Sequence, residues 1–383
     1  MSFQVKKRLI SVVASGICLI GMNLQALTLK ESVLEAMETN PIVQERLKNF
    51  NETQQDLEIT KAEWLPSLDY RATFGRNSAG NLKDNNTDSR YDNGVADTTY
   101  NHYTNSLKLT QNIFNGFSTT HKLDYQKARI LGAANHYLEN ANDIAFQTVG
   151  AYLDVVRSYQ LLQNAKDNVT INEKIYQDVQ SLYDQGLTTK SEMTKIFASL
   201  SLAKSNLIVQ KNNTVDKEFR FKRLLGREVD ISNFTLPTLS YAMPESIQRA
   251  TMHAIQNNPS ILVSNFNIKG AQALYKEKQS KYYPTIDLEV EQVFNDVNDK
   301  VKASGFDMPD DRLKAYVVLN WNLFKGGAHV ADVQKSRSTI NKEVEIQRDL
   351  KRQTIEGLEL SWSAHELLSE QLKELYKYLN FRT

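Results

Sequence analysis

The sequence predicts a mixed α and β fold in which long coiled-coil-like helical hairpins are joined to four β-strands. Three observations lead to this prediction. An apolar heptad pattern is sustained over a long segment, other segments alternate polar and apolar residues, and both patterns occur twice in the same order. The 383 residues carry 46 Lys and Arg against 45 Asp and Glu, so net charge gives no reason to expect nucleic acid as a partner.

The longest predicted element is a helix over Ser118 to Gln185. Two rows of largely apolar residues recur at seven-residue intervals, which is typical of a coiled coil. The segment contains no proline, and at 1.5 Å per residue it would be about 100 Å long, more than a compact domain needs. The first row is Ala134, Ala141, Thr148, Val155, Leu162, Val169, Tyr176 and Tyr183, and the second is Leu131, Leu138, Ala145, Tyr152 and Tyr159.

Turn-forming residues predict where this helix ends and the chain returns. Gly186 is able to adopt the left-handed conformation that ends a helix, and Ser191 is predicted to cap the next one. The return helix is expected to continue to about Gly226, and Pro237 and Pro244 then bracket a non-helical linker.

Residues 1–26 have the composition of a secretory signal peptide. Lys6, Lys7 and Arg8 precede a short apolar run, and Ala26 is suitably placed for cleavage. A retained anchor, or lipidation of the single cysteine Cys18, are the alternatives. No later stretch is apolar enough for a transmembrane helix, so any membrane-spanning structure must consist of β-strands.

Proline residues, alternating segments and turn-forming residues then predict two helices and two strands. Helices are expected over Thr28 to Asn40 and from Pro41 to about Trp64. A strand with alternating faces begins at Leu68, residues 77–101 form a polar loop, and a second strand ends at the motif Asn112-Ile-Phe-Asn-Gly116.

The same order of signals begins again in the second half. Pro259 follows Pro41 by 218 residues, and Pro284 follows Pro66 by the same 218. Asn322-Leu-Phe-Lys-Gly326 repeats the motif that ends at Gly116, 210 residues later. We therefore divide the chain into a signal peptide (1–26), a first repeat with a complete hairpin (27–240) and a second repeat (241–383) that stops before its own hairpin turn.

The four strands each have one apolar and one polar face, which favours a membrane protein with lipid outside and water inside. A sheet with one face on helices and one in solvent is the alternative. Four strands cannot close a barrel, so three copies of the chain are expected to share one. The predicted lipid-facing residues are Leu68, Tyr70, Phe74, Leu107, Leu109, Ile113, Ile286, Leu288, Val290, Phe294, Leu313, Val317, Leu319, Trp321 and Leu323. The predicted lumen-facing residues are Asp69, Arg71, Lys108, Asp287, Glu289, Glu291 and Lys314, whose four acids against three bases suggest a weak preference for cations.

These motifs, taken in order, resemble the TolC-type outer-membrane efflux protein family from about residue 28 to the end of the chain. The matching segments are Asn40-Pro41, Leu65-Pro66-Ser67-Leu68, Asn112 to Gly116, Leu182 to Thr188, Asn258-Pro259, Tyr283-Pro284 and Asn322 to Gly327. The resemblance implies a homotrimer with a shared β-barrel in the outer membrane and a helical tunnel in the periplasm. It also implies that Asp184, Gly186, Leu187 and Thr188 form a tip that contacts a periplasmic adaptor, which is coupled to an inner-membrane transporter driven by ATP or protons.

The leading functional prediction is therefore a passive exit channel for efflux or type I secretion. A periplasmic coiled-coil structural or adaptor-like protein, and a truncated non-functional remnant of the channel, are the alternatives. The six histidines are scattered and show no ligand or catalytic spacing. We predict no enzyme activity, no cofactor and no metal site.

Overall fold

The computed structural model describes residues 27–79, 98–230, 234–238, 243–297 and 311–382. The predicted signal peptide, residues 1–26, lies outside these ranges, as does the central part of the predicted loop 77–101. The strands on either side extend into that loop, so its two ends, 77–79 and 98–101, are strand and not loop.

The elements follow the predicted order in both halves. The first half contains α1 (Leu29–Thr39), α2 (Pro41–Ala62), β1 (Ser67–Ala79), β2 (Thr98–Phe114), α3 (Ser118–Asp184) and α4 (Lys190–Leu225). The second half contains α5 (Ile247–Asn257), α6 (Pro259–Gln279), a 3₁₀ turn (Ser280–Tyr282), β3 (Thr285–Val297), β4 (Asp311–Asn320) and α7 (Ala328–Arg382).

Equivalent polar residues begin the short helices of the two halves. Thr28 caps α1 through a capping box with Glu31, and these hydrogen bonds from Thr28 lower the pKa of the Glu31 carboxyl. Ser246 caps α5 through its side chain alone, accepting from the amide of Arg249. Asn258 then ends α5 and accepts from the amide of Ser260 at the start of α6. The proline-based boundaries predicted from the sequence are thereby confirmed.

One compact unit contains the described residues of 27–44 and 140–238. Its core lies between α3 and α4, where Tyr152 stacks on Phe234 with ring centroids 4.5 Å apart and Phe221 meets both rings edge-on. The Tyr152 hydroxyl donates to the carbonyl of Thr235 at 3.1 Å, which holds the linker against the helices. Burial and a hydrogen bond to Glu218 raise the pKa of Tyr159 to about 12.

The second unit contains the described residues of 45–139 and 243–382, including the sheet. Here α6 packs against the first part of α3 through small residues. A Cβ at Gly270 would lie 3.4 Å from the Tyr125 ring, and one at Gly132 would lie 3.7 Å from the Phe266 Cβ. The absence of side chains at these two positions therefore allows the helix backbones to approach closely.

Side-chain contacts at equivalent positions repeat the duplication within this unit. Gln111 donates to the carbonyl of Trp64 at 2.9 Å, and Trp321 donates to the carbonyl of Tyr282 at 3.2 Å. Each donor lies at the end of the second strand of its repeat, and each acceptor lies between helix and first strand. The repeat predicted from the spacing of prolines and turns is therefore also present in the side-chain hydrogen bonds of the two halves.

An ion pair also recurs in both halves, with its charges exchanged. Lys122 pairs with Glu63 at 2.8 Å, and the corresponding positions in the second half hold Asp332 and Lys281, which pair at 2.9 Å. The hydrogen bond from Lys281 holds the pKa of Asp332 below its ordinary value.

Three of the predicted details are wrong. Thr189, and not Ser191, caps α4, because its side chain accepts from the amide of Glu192. In the second heptad row, Leu131 and Leu138 are about half exposed, whereas Ala141, Thr148 and Val155 of the first row are buried as predicted. The last strand ends at Asn320, so Trp321 and Leu323 lie beyond it.

Candidate channel-forming site

The four strands form one antiparallel sheet in the order β1-β2-β3-β4. Paired residues in an antiparallel ladder share a face of the sheet, so the register decides which side chains lie together. One continuous row contains Leu68, Leu109, Val290 and Ala315, and a second contains Tyr70, Leu107, Gln292 and Leu313. Apart from Ile113, the apolar residues predicted to face lipid within the strands therefore lie on one side.

This apolar face is unusually exposed for a protein surface. Phe74 and Leu313 expose 77% and 70% of their surface, and Leu68, Tyr70, Val317 and Leu319 are also exposed. A contiguous exposed apolar face of this kind is typical of a surface that contacts lipid or another protein.

The apolar face is less continuous than the sequence suggested. Asn105 and Gln292 also lie on it, and Tyr70 donates to the Asn105 side chain at 3.0 Å. Ile113 lies at a register shift between Asn112 and Phe114, so that Phe114 is paired with Ile286. Ile113 itself has no partner in the described ladder and is exposed.

The opposite face carries a row of alternating charges in direct register. Asp69 pairs with Lys108, Lys108 with Glu291, and Glu291 with Lys314. The Lys108 side chain forms an ion pair with Glu289, two residues along β3 from its register partner, at 2.9 Å, and Lys314 lies 3.8 Å from its register partner Glu291. The acids and bases predicted to face the lumen are thus brought together on one surface.

One hydrogen bond and two further basic residues complete this face. Asn112 donates to Asp287 at 2.6 Å, and Arg71 lies opposite Ser106. Sequence reasoning missed Arg312, which the register places opposite Val293 on the polar face. The alternation that identified Lys314 would have found it two residues earlier. With Arg312 included, four acids oppose four bases, so the face tally no longer favours cations.

The hairpin tip is a Schellman motif at the end of α3. The amide of Leu187 donates to the carbonyl of Leu182 at 2.8 Å, and the amide of Gly186 donates to that of Tyr183 at 2.9 Å. Gly186 has φ +74°, the left-handed conformation predicted for it. Leu187 exposes 69% of its surface, while Asp184 accepts a hydrogen bond from Gln180.

In the part of the chain that the structure describes, no helix has both the length and the apolar composition needed to cross a membrane. The same residues contain no cluster of three or more histidine, cysteine or acidic side chains able to hold a metal ion.

A long helical hairpin joined to a sheet with one exposed apolar and one charged face defines a class of channel-forming envelope proteins. The chain belongs to the outer membrane efflux protein family, whose model matches residues 33–227. The chain is therefore an efflux channel of the outer membrane with helices in the periplasm, and not an enzyme. This finding supports the channel over a periplasmic structural protein or a remnant.

Individual relatives and solved structures agree with this assignment. The outer membrane efflux protein BepC of Brucella suis biovar 1 (strain 1330) is 23% identical over 376 residues, which cover 95% of this chain and 76% of BepC. A membrane protein from Pseudomonas aeruginosa matches with a TM-score of 0.75 at 15% identity, covering 91% of this chain and 79% of that one. VceC of Vibrio cholerae matches with a TM-score of 0.71 at 13% identity, covering 90% of this chain and 80% of VceC. The two structural matches establish a shared fold.

Proposed function

We propose that three copies of this chain close a twelve-stranded barrel across the outer membrane. The observation that carries this proposal is the sheet itself, because its edge strands β1 and β4 pair with no other described strand and one of its faces is exposed and apolar. An open sheet edge in lipid leaves backbone groups unpaired, each at a cost of several kcal/mol. Four strands are too few to close alone, whereas bacterial barrels have an even number of at least about eight.

In this arrangement the apolar face contacts lipid and the charged face lines the lumen. The strands contain 13, 17, 13 and 10 residues, enough to cross a hydrocarbon core that requires about 9–11 when tilted. The row from Asp69 to Lys314 would be costly against lipid but is well solvated in a water-filled channel. Trp321 and Leu323, beyond the end of β4, are then placed near the boundary of the barrel.

The helices extend the channel into the periplasm, and the α3–α4 tip contacts an adaptor. The tip offers Leu187, an exposed apolar side chain held by a rigid Schellman turn, together with Asp184 and Thr188. The adaptor connects the channel to an inner-membrane transporter that supplies the energy, so this chain acts as a passive duct. The name of BepC, an efflux protein, favours efflux over protein secretion as the process served.

Purification in detergent and planar-bilayer recording test the channel. We expect a trimer on size-exclusion chromatography with light scattering, and discrete conductance steps after reconstitution. A protein that stays monomeric, remains soluble without detergent and gives no conductance would contradict the proposal.

Photocrosslinking in cells tests the tip. A photoreactive amino acid at Leu187 should capture a periplasmic adaptor protein, identified by mass spectrometry. The same group at Phe146, which lies on α3 and is even more exposed, serves as the control and should not capture it. Equal capture of the adaptor at both positions, or capture at neither, would remove the tip from the proposed contact.

We also propose that the functional boundaries follow the repeats. Residues 1–26 would direct export and be removed, residues 27–240 would form the first repeat and residues 241–383 the second. N-terminal sequencing of the protein purified from outer membranes tests the first boundary, with Leu27 expected as the first residue.

A further inference from the structure

The two repeats contain the same unusual turn between their second strand and the following helix. Gly116 and Phe117 have φ +64° and +66°, and the equivalent residues Gly326 and Gly327 have φ +56° and +81°. Left-handed backbone is rare outside glycine, and it costs Phe117 about 1–2 kcal/mol. Two successive residues thus adopt this conformation in both repeats, although only the first repeat has a side chain at the second position.

The first of these turns is packed against the other repeat. A Cβ added to Gly116 would lie 2.5 Å from the carbonyl oxygen of Ser280 and 2.9 Å from the Cβ of Tyr283. The Phe117 ring meets the Tyr283 ring edge-on, with centroids 6.4 Å apart. The junction between α6 and β3 therefore covers the Gly116 side of the first turn, while Phe117 contacts it only through the edge of its ring.

The second turn has the same conformation but nothing covers it. No described atom lies within 4 Å of a Cβ built on Gly326 or Gly327, and Phe324 exposes 83% of its surface. The surface equivalent to the α6–β3 junction is the α2–β1 junction, residues 62–66, and it is uncovered as well. Its Leu65 exposes 68% of its surface, more than the 53% of the equivalent residue Tyr283, which packs on the first turn.

These two uncovered surfaces cannot meet within one chain without disrupting the sheet. The α2–β1 junction precedes β1 and the second turn follows β4, and these strands are the two opposite edges of the sheet. We infer that the second turn, Asn322 to Gly327, docks on the α2–β1 junction of a second copy. The repeat spacing pairs Gly326 and Gly327 of one copy with Ala62 and Leu65 of the next, as Gly116 and Phe117 pair with Ser280 and Tyr283. This inference rests on the proposed assembly of several copies.

Paired cysteines and a short bifunctional maleimide test this contact in a background with Cys18→Ser. Leu65→Cys with Gly327→Cys should give crosslinked dimers and trimers on denaturing gels, because the two positions would belong to different copies. Phe117→Cys with Tyr283→Cys is the matched control, in which the crosslink is expected within one chain. Cysteine is tolerated at residue 327 because the equivalent position already holds Phe117 in the same backbone conformation. Each single-cysteine variant should give no crosslink.

Light scattering on the same samples separates this contact from the assembly itself. A trimer without a crosslink between residues 65 and 327 overturns the contact but leaves the proposed channel intact. A crosslink confined to single chains overturns the contact as well. A chain that stays monomeric overturns both.

A charge at the junction gives a second readout that does not need a crosslink. Leu65→Asp leaves the single chain unchanged in its core, because Leu65 is mostly exposed there. In the docked assembly the carboxylate would leave water without a partner, so the ratio of trimer to monomer should fall about tenfold or more. Leu236→Asp introduces the same change at a leucine of similar exposure in the linker, and should leave that ratio unchanged. Equal effects of the two variants would overturn the contact.

Discussion

Alanine at Gly116 should destabilise the chain more than alanine at Gly326, although the two glycines occupy equivalent turns. Both have positive φ, so either substitution places a Cβ in the left-handed region at a cost of about 1–2 kcal/mol. Only Gly116 also has a neighbour in the way. Its new Cβ would lie 2.5 Å from the Ser280 carbonyl oxygen, which belongs to backbone that cannot rotate aside.

The extra cost is that of overpacking, typically about 1–3 kcal/mol. We therefore expect Gly116→Ala to cost about 2–5 kcal/mol of unfolding free energy, and Gly326→Ala about 1–2 kcal/mol. Urea unfolding in a detergent that keeps the chain monomeric, followed by circular dichroism at several denaturant concentrations, measures both values under one set of conditions.

The two alanine variants should also differ in the assembled trimer. In the assembled state, the docking inferred above would give Gly326 the same close neighbours as Gly116, so Gly326→Ala should weaken the trimer by more than the about 1–2 kcal/mol that it costs the monomer. Equal destabilisation of the two variants as monomers would refute the steric reasoning, because it would mean that the Ser280 backbone moves away freely.

Three further predictions concern the sheet and the repeated ion pair. Val317→Arg should make the free energy of folding into lipid less favourable by about 2–4 kcal/mol if residue 317 faces the bilayer centre. Tyr316→Arg, one residue away on the polar face, should have little effect. Folding into vesicles measures both variants, and equal effects would contradict the assigned faces. Lys108→Glu should shift the bilayer reversal potential toward cation selectivity, because it changes the polar face from four acids and four bases to five acids and three bases. An unchanged potential would place this face outside the conduction path. Lys281→Asp should lower stability above the ordinary aspartate pKa and have no effect in strong acid, because the lowered pKa of Asp332 means that the pair stabilises at higher pH and is lost as pH falls. Adding Asp332→Lys should recover the loss, and pH-dependent thermal unfolding tests whether it does.

The sequence was sufficient for the order of elements because proline, glycine and capping residues act locally. Asn40-Pro41 and Asn258-Pro259 each separate two helices, as the restriction before proline requires. The Schellman turn at Gly186 follows from the same local logic. Even the error at the start of α4 was avoidable, because Thr189 and Glu192 have the spacing of a capping box.

Packing between elements was harder to predict because it depends on partners that sequence order does not specify. The second heptad row failed at Leu131 and Leu138, where α6 contacts the neighbouring Ala128 and Gly132 instead. A straight helix drifts about 20° per heptad relative to a seven-residue repeat, so a row that is buried at Tyr152 has turned outward three heptads earlier.

The end of β4 has a physical cause that lies in its partner strand. Alternation continues through Trp321 and Leu323, but Asn320 already pairs with Thr285, the first residue of β3. The next pairing would oppose Trp321 to Pro284, which has no backbone N–H to donate. The strand therefore stops although its own side chains would allow it to continue.

The exchanged ion pair shows that the two halves share a contact that a comparison of their sequences does not reveal. Glu63 and Lys281, like Lys122 and Asp332, are opposite in charge, so a comparison of the two halves residue by residue counts them as mismatches. The contact between the helix end and the following helix is nevertheless kept, because only the product of the two charges affects its energy. The spacing of the elements and the conformation of the turns therefore identify the repeat. The same two features predict which surfaces of one chain are covered by a second copy.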